Sequence, residues 1–370
     1  MSLVSLMYSF FQVLVIFFIG LTQLKHQGWR RFAIIHTVYT KTDGVMMIFR
    51  FTLIAAGILA LTQPASAALS NLGIANDYSG FFFSNVNGGN DVEGKLAVGG
   101  NLTAATLNTI GYRNAYGTKG PSLVVAGNMV DKQLDIYNGP VKKIDTNKSY
   151  GPDVKQELGT LSAGYGIIGG KIVNNKGWAD LKTNISVKSV VDFDKAKKDL
   201  SALSNGLANS KTNGQVIHEN GGFTLKGDNK SLQQVFNLKA TEFLNLNLTN
   251  IKKDATVIIN YTGSFSDIVL AGGQLGQMEA MRSNILFNLP NAKKLSVNTF
   301  VWGSILAPQA AIYGTAHVEG SLIAHSLESN LELGYEPFKG NLTSPVPEPE
   351  TYALMGMGLI GLVLRRRSKK

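Results

Sequence analysis

The chain has 370 residues, with 40 Gly, 18 Phe and no Cys, so it is long enough for one large or two ordinary domains and has no disulfide framework. Basic residues exceed acidic ones by ten overall, but residues 1–67 carry five against one and residues 345–370 carry five against two. The segment between them has 25 basic and 22 acidic residues, a net charge of +3, so the high isoelectric point gives no support for nucleic-acid binding.

An apolar segment opens the chain. Residues 3–21 contain few polar side chains and are long enough to cross a membrane, and three basic residues follow within the next ten positions. This pattern is typical of an N-terminal membrane anchor. A secretory signal follows directly after this segment, however, and a single signal is sufficient for export. We therefore expect residues 1–45 to be an over-extended gene start, with a genuine anchor as the alternative.

The second export signal occupies residues 46–67. A start at Met46 or Met47 places an arginine and then an apolar run ahead of an A-x-A motif whose small residues are Ala65 and Ala67. A short basic region, an apolar run and small residues at the cleavage site are the three parts of a secretory signal peptide. The mature chain is therefore predicted to begin directly after this motif.

The body of the chain, residues 68–344, consists of short β-like runs bounded by Gly, Asn or Pro. A helix is predicted at 192–207, where Phe193, Ala196 and Leu200 begin an apolar stripe at spacings of three and four. The predicted strands are 95–98, 122–126, 166–173, 215–217, 256–261, 283–288, 300–306 and 321–324.

A heptapeptide recurs along the body. The sequence VEGKLAV at 92–98 is echoed by VEGSLIA at 318–324, and a third copy, VWGSILA at 301–307, starts 17 residues before the second. That spacing fits one coil of a parallel β-solenoid, in which Gly makes a corner and the apolar residues stack between coils. Similar runs recur at looser intervals, which predicts an irregular parallel β-solenoid. An antiparallel sandwich with similar strands is the alternative.

The tail, residues 345–370, has a distinctive order: a proline-rich triplet that cannot continue a helix, an apolar run at 352–364, and a basic end. As a helix the thirteen apolar residues would rise about 20 Å, less than the roughly 30 Å hydrocarbon core. An ordinary amphipathic C-terminus is therefore the alternative. The polar parts are Pro347, Glu348 and Pro349, and Arg365, Arg366 and Arg367.

This order resembles the PEP-CTERM sorting signal of Gram-negative bacteria, which an exosortase recognises and processes. The resemblance implies an exosortase as partner and membrane contact through a short C-terminal transmembrane helix before processing. It also implies a destination at the cell envelope, the outer surface or the extracellular matrix.

The body resembles the choice-of-anchor A domain of bacterial surface proteins. The segments that carry the resemblance are DVEGKLAVGGN (91–101), LVVAGN (123–128), GSILAPQA (303–310), VEGSLIA (318–324) and EPFKG (336–340). The resemblance implies an ice-binding-protein-like β-solenoid with a helix packed along it and an adhesive role. It supplies no catalytic residues.

Motifs that carry chemistry were sought independently. A G-x-G-x-x-G match at 164–169 precedes strand-like and turn residues rather than a helix, so it is interpreted as a solenoid corner. His317 and His325, together with Glu319, would make a metal site if the strands brought them together. We expect them instead to be partly exposed residues of the coils, and we predict no catalytic residue, cofactor or metal.

Two acidic pairs have the i, i+2 spacing that points both carboxylates to one side of a strand: Asp91 with Glu93, and Asp192 with Asp194. Glycosidases use two carboxylates across a cleft, and Ca²⁺ needs six or more oxygen ligands. We interpret the pairs instead as a solvated edge or a helix N-terminus.

Three functions are compatible with such a solenoid. An exported adhesive protein would bind exopolysaccharide, cells or surfaces through many weak contacts on a rigid face. A polysaccharide-degrading enzyme would need charged and aromatic residues along a groove, but the body has two Arg, and Trp178 and Trp302 lie far apart in the sequence. Ice binding would favour a regular Thr-x-Thr ladder, which is not visible. We therefore predict an adhesive protein and not an enzyme.

Overall fold

The computed structural model describes residues 41–42, 45–46, 71–104, 106–144, 154–219 and 221–342. The chain separates into two units, one of residues 1–65 and 348–370 and one of residues 66–347. In the first unit, β1 (Lys41–Thr42) pairs antiparallel with β2 (Val45–Met46).

The predicted targeting residues lie outside the described residues. They are Ala65 and Ala67 of the signal peptide, and Pro347, Glu348, Pro349, Arg365, Arg366 and Arg367 of the tail. Within the described part of the chain, none of the helices has the length and apolar character needed to span a bilayer.

The second unit is mostly β. Its helices are α1 (Val154–Leu158) and α2 (Phe193–Ala208), with 3-10 turns at Gly73–Asp77, Val187–Ser189 and Glu279–Asn284. Its strands are β3 (Gly80–Phe82), β4 (Val86–Asn87), β5 (Asp91–Val92), β6 (Leu96–Val98), β7 (Leu102–Thr103), β8 (Thr109–Ile110), β9 (Leu123–Val125), β10 (Met129–Lys132), β11 (Asp135–Pro140), β12 (Leu161–Ala163), β13 (Gly166–Ile168), β14 (Ile172–Gly177), β15 (Leu181–Thr183), β16 (Gln215–Glu219), β17 (Gly222–Lys226), β18 (Gln233–Leu238), β19 (Glu242–Thr249), β20 (Thr256–Tyr261), β21 (Asp267–Gly276), β22 (Ile285–Asn288), β23 (Lys294–Val297), β24 (Ser304–Gly314), β25 (His317–Val318), β26 (Leu322–Leu327) and β27 (Glu332–Leu333).

Most of these strands stack in parallel columns that form three faces of a solenoid, whereas β12 and β16 pair antiparallel with β11 and β17. The helix face runs β15, β13, β9, β6, β3, β26, β24, β22, β20, β18. The second face runs β14, β10, β7, β4, the ends of β26 and β24, then β23, β21 and β19. The third face runs β11, β8, β5, β27, β25, then a bridge from Val318 to Val301.

The coils do not stack in chain order. The first half of the unit starts at β3 in the middle of the helix face and builds outward to β15. The second half starts at the opposite end with β16 and β17, where β17 stacks on β19, and it builds back until β26 pairs with β3 and β4, and β27 pairs with β5. We call these contacts between the two halves the joint. Helix α2, whose 16 residues span about 24 Å, carries the chain from one end towards the other.

Helix α2 covers the helix face, so that the strands there are apolar on both sides. Phe81, Ala97, Val124 and Ile323 point outward into a buried cluster with Leu200 and the rest of the helix stripe. Their neighbours in each strand point into the solenoid core. Burial on both sides explains why these strands read as continuous apolar runs rather than as alternating ones.

A ladder of asparagines fixes one corner of the first half. The Oδ1 atoms of Asn85, Asn101 and Asn128 accept hydrogen bonds from the backbone N–H of Asn101, Asn128 and Lys171 in the next coil, at 2.8, 2.8 and 2.9 Å. A glycine must precede each backbone N–H that donates in this ladder. A Cβ on Gly127, for example, would lie 2.4 Å from Oδ1 of Asn101. The GGN, GN and GGK sequences of this half are therefore packing requirements.

A second asparagine ladder ties the end of α2 to the second half. Asn288 donates to Oδ1 of Asn260 at 2.8 Å, and Asn260 donates to Oδ1 of Asn237 at 2.9 Å. The same amides also donate to backbone carbonyls at the C-terminal end of α2. These acceptors are Ser204 for Asn288, Leu207 for Asn260, and Ser210 just beyond the helix for Asn237.

The structure confirms the predicted class and corrects some boundaries. The parallel pairing rules out the antiparallel sandwich, and register shifts in several pairs make the solenoid irregular. Helix 192–207 is confirmed as α2, with Asp192 as N-cap accepting from the backbone N–H of Lys195 at 3.0 Å. The predicted strand 166–173 is divided by the corner at Gly169–Gly170 into β13 and β14.

Two other predicted strands begin later than expected. Residues 283–284 end a 3-10 turn, so the strand starts at Ile285. The predicted strand 300–306 starts at Ser304, because Gly303 turns the chain with a φ of +138°. Both differences lie at corners, where apolar residues continue the sequence pattern while the backbone changes direction.

Leu200→Asp should destabilise the second unit by on the order of 3 kcal/mol or more, because Leu200 is buried between α2 and the helix face and the new carboxylate has no partner there. Ala202→Asp, at an exposed position of the same helix, is the matched control. Urea unfolding measures both. Equal, small effects would mean that α2 is not part of the core.

Gly127→Ala should destabilise by about 2 kcal/mol, since the new Cβ would press on Asn101 and on the backbone of the coil beside it. At Gly273 a new Cβ would meet its nearest neighbour at 3.7 Å, so Gly273→Ala serves as the control. Thermal unfolding of the two variants should show a clear loss for the first and little change for the second.

Candidate functional site

The repeated VEG sequences place two glutamates at one corner of the joint. Val318 pairs with Leu333, and Leu333 pairs with Val92, so Glu319 and Glu93 lie two coils apart with Gly334 between them. A Cβ on Gly334 would lie 2.8 Å from Oε2 of Glu319. The missing side chain therefore leaves space in which the carboxylates of both halves approach each other.

Arg113 joins these two carboxylates. Its Nη1 forms ion pairs with Glu93 and, at 3.2 Å, with Glu319. Glu93 also accepts from the hydroxyl of Tyr112 at 3.1 Å and from the backbone N–H of Tyr335 at 2.9 Å. The three charged residues are almost completely buried. Their charges are therefore compensated by direct contacts rather than by water.

His317 extends the network outward. Its Nε2 lies 2.8 Å from Oε2 of Glu319, and its Nδ1 lies 3.6 Å from Oε1 of Glu332. Burial alone would lower the pKa of His317, but the two glutamates and Glu93 together raise it to about 9. Burial works to raise the pKa of Glu319, yet His317 and Arg113 outweigh it and hold that pKa below its usual range. The histidine is therefore protonated at neutral pH.

Three of these residues offer metal-ligand atoms. Glu93, His317 and Glu319 place one such atom each within 4.8 Å of the others. A cation there would have to displace both the Arg113 guanidinium and the proton of His317, because metal ligands must be deprotonated. The chemistry of the set therefore fits an ion-pair network across the joint better than a metal centre.

The structure tests the sequence-predicted site residues. It brings His317 and Glu319 together, but His325 is not part of the group of metal-ligand atoms. The interpretation of the acidic pairs as solvated is correct for Asp192 at the helix N-terminus and wrong for Glu93, which is buried. Glu93 is buried because Arg113 lies at the same corner.

The G-x-G-x-x-G segment is a strand and a corner, as predicted. Gly166 to Ile168 form β13, and Gly169 turns the chain where a Cβ would lie 2.4 Å from the carbonyl of Ala126. Arg113 and Glu332 were not among the residues predicted from the sequence. The two VEG copies could have indicated a basic residue at this corner, because two glutamates stacked at equivalent positions need a cation to compensate their charge.

The second and third faces carry outward side chains that α2 does not cover. Along the second face, Tyr313 pairs with Ser296, Ser296 with Val269, and Val269 with Glu242. These side chains are aromatic, hydroxyl, aliphatic and acidic in turn. This row therefore lacks the repeated threonines that the ice-binding alternative favoured.

Comparisons with known proteins give two matches along the sequence. The family described as "Putative Ice-binding-like adhesive domain" matches residues 71–335, and the PEP-CTERM protein-sorting motif matches residues 345–367. A solved structure, an ice binding protein from an Antarctic biological consortium, is similar over 74% of this chain and 92% of its own, with 15% identity and a TM-score of 0.30. A search of curated proteins finds no match.

The pKa of His317 predicts how stability depends on pH. Because the folded pKa of about 9 exceeds the ordinary value of 6.5, protonation of His317 stabilises the fold fully below pH 6.5, and this contribution is lost as the pH rises through 9. The loss amounts to about 3 kcal/mol.

Chemical denaturation at pH 6 and pH 9.5 measures this dependence. His317→Gln should flatten it, whereas His218→Gln, at an exposed position on β16, should leave it as in the unchanged chain. A wild-type slope that persists in His317→Gln would contradict the assignment.

Proposed function

The chain belongs to the ice-binding-like adhesive domain family, and on that basis we propose that it is an adhesin that binds exopolysaccharide, cells or solid surfaces through the uncovered faces of its solenoid. The PEP-CTERM motif makes it an exported surface protein that an exosortase processes. We also propose that it belongs to the choice-of-anchor A group and that its destination is the envelope or extracellular matrix of a Gram-negative bacterium.

The observation that supports adhesion best is the pair of uncovered faces on a rigid scaffold. Each inner strand is hydrogen-bonded to a strand on either side, and the asparagine ladders fix the coils relative to one another. Outward side chains therefore stand at a regular spacing of about 4.8 Å. Such an array binds a repeating polymer through many weak contacts, and many copies on one surface multiply the effect.

A non-catalytic role is part of the proposal. The closest carboxylates of the joint, Glu93 and Glu319, are held by Arg113 and His317 rather than facing one another across an open cleft. A glycosidase needs one such group free to donate a proton and another free to attack or to activate water. The ice-binding alternative receives no support from the mixed row on the second face.

Removing the sorting signal should change where the protein is found. Deleting residues 352–370, or changing Glu348 to Ala, is expected to abolish C-terminal processing and to lower surface display and cell attachment together. Glu350→Ala is the control within the same segment. Mass spectrometry of envelope and medium fractions, with and without a functional exosortase, measures the processing. Unchanged processing and display in the deletion variant would contradict the sorting route.

A further inference from the structure

We propose that the third face carries a binding site for a neutral, extended polysaccharide, formed by a row of polar side chains with an aromatic platform at each end. The inference rests on the adhesive function proposed above and specifies its ligand and its residues. The row begins at His317 and crosses the joint to Asp135.

The strand register defines the row. His317 pairs with Glu332, the next pairing of Leu333 with Val92 sets Glu332 beside Asp91, and Asp91 and Asp135 both pair with Thr109. The residue after each of these points into the core, so the row lies on the outer side of the strands, and Thr109 in its middle is buried in contact with Lys155. From His317 to Asp135 there are four coil steps, about 19 Å at ~4.8 Å per step.

One end of the row is aromatic through Phe300. Its ring stacks on the His317 ring with centroids 4.5 Å apart and an angle of 9°, and it contacts the Trp302 ring at 4.3 Å. Phe300 is nevertheless 38% exposed. The ring is thus held in a fixed orientation by its neighbours while part of its surface remains open to solvent.

The other end is aromatic through Trp178. Its Nε1 donates to Oδ1 of Asp135 at 2.8 Å, which satisfies the polar atom of the indole within the protein. The side chain is 61% exposed. A large apolar ring that is oriented by a hydrogen bond and left open to water is preorganised to receive an apolar ligand surface.

The middle of the row offers both donors and acceptors. Lys155 lies over it, donating to Thr109 Oγ1 at 2.7 Å and lying 3.8 Å from Asp91 Oδ2. Asp91 and Glu332 keep about a fifth and a third of their side chains exposed. Carboxylates accept hydrogen bonds and ammonium groups donate them, which matches the mixed hydroxyls along the rim of a sugar chain.

Charge and spacing select the class of polysaccharide. His317 is already paired with Glu319, so the three carboxylates of the row exceed its remaining cation, Lys155, and leave it negative. An acidic polymer therefore meets repulsion and a neutral one does not. Sugar rings present an apolar C–H face that packs on aromatic rings. An extended neutral chain laid along the solenoid axis advances by about one coil spacing per sugar, so it contacts both platforms at once.

Affinity electrophoresis and calorimetry of the full chain with a soluble neutral β-glucan test the proposal, with dextran and anionic alginate as comparison polymers. Trp178→Ala and Phe300→Ala should each weaken β-glucan binding several-fold, and the double variant at least tenfold. Phe265→Ala and Leu232→Ala are controls, since these side chains are 60% and 64% exposed in loops outside the strands of the three faces. They should leave binding within twofold of the unchanged chain.

The proposal is overturned if the double variant binds as the unchanged chain does, if the control variants weaken binding equally, if alginate binds in preference, or if none of the neutral polymers binds. Cell attachment measured in parallel separates this proposal from the function on which it rests. If cell attachment depends on the protein but no neutral glycan binds, the proposed site is wrong and the adhesive function stands. If the protein supports neither cell attachment nor glycan binding, both the site and the adhesive function are wrong.

Discussion

Glu93 and Tyr335 are hydrogen-bonded although 242 residues separate them, and the contact lies where the last coil meets the first. No peptide bond crosses this joint. Strand pairing on the three faces, the shared apolar core and the ion pairs of Arg113 hold the halves together, while α2 is the covalent route between them. Every coil further from the joint stacks on it directly or through the coils in between.

The rest of the scaffold is fixed by polar side chains in places where strand pairing leaves gaps. At one corner, asparagine amides replace the missing ladder bonds, and the preceding glycines leave the room they need. At the end of α2, another set of amides pairs the helix carbonyls. Buried polar groups are costly when unpaired, so each ladder also fixes a register between coils.

Much of this architecture was predictable from local patterns. The VEG copies and their apolar continuation predicted parallel coils, and the stripe from Phe193 to Leu207 predicted α2 with Asp192 at its N-terminus. Hydrophobic periodicity indicates whether a segment forms a strand or a helix and which side it buries. It does not indicate which coil stacks on which. The stacking of β26 on β3 was therefore not predictable, because a repeat is normally expected to stack on its neighbour in the chain.

The buried site was predictable only in part, because only some of its residues belong to a repeated sequence. Two glutamates in equivalent copies indicated two stacked carboxylates, whereas Arg113 belongs to a loop with no repeat of its own. The burial of Glu93 followed from the joint, which brings the first and last copies together around Gly334. Trp178 is distant from Phe300 in the sequence, and its hydrogen bond to Asp135, together with the strand register, places it in line with Phe300.

The out-of-order stacking also sets a folding order. Strand β3 lies near the start of the second unit, but its partner β26 follows more than two hundred residues later, so the edge of the first half stays unpaired until the last coil forms. Such long-range contacts form slowly, and open edges of apolar strands are prone to associate with other chains. The partly folded chain is thus the species most prone to associate with other chains, and stacking of the last coil is the step that covers the open edge.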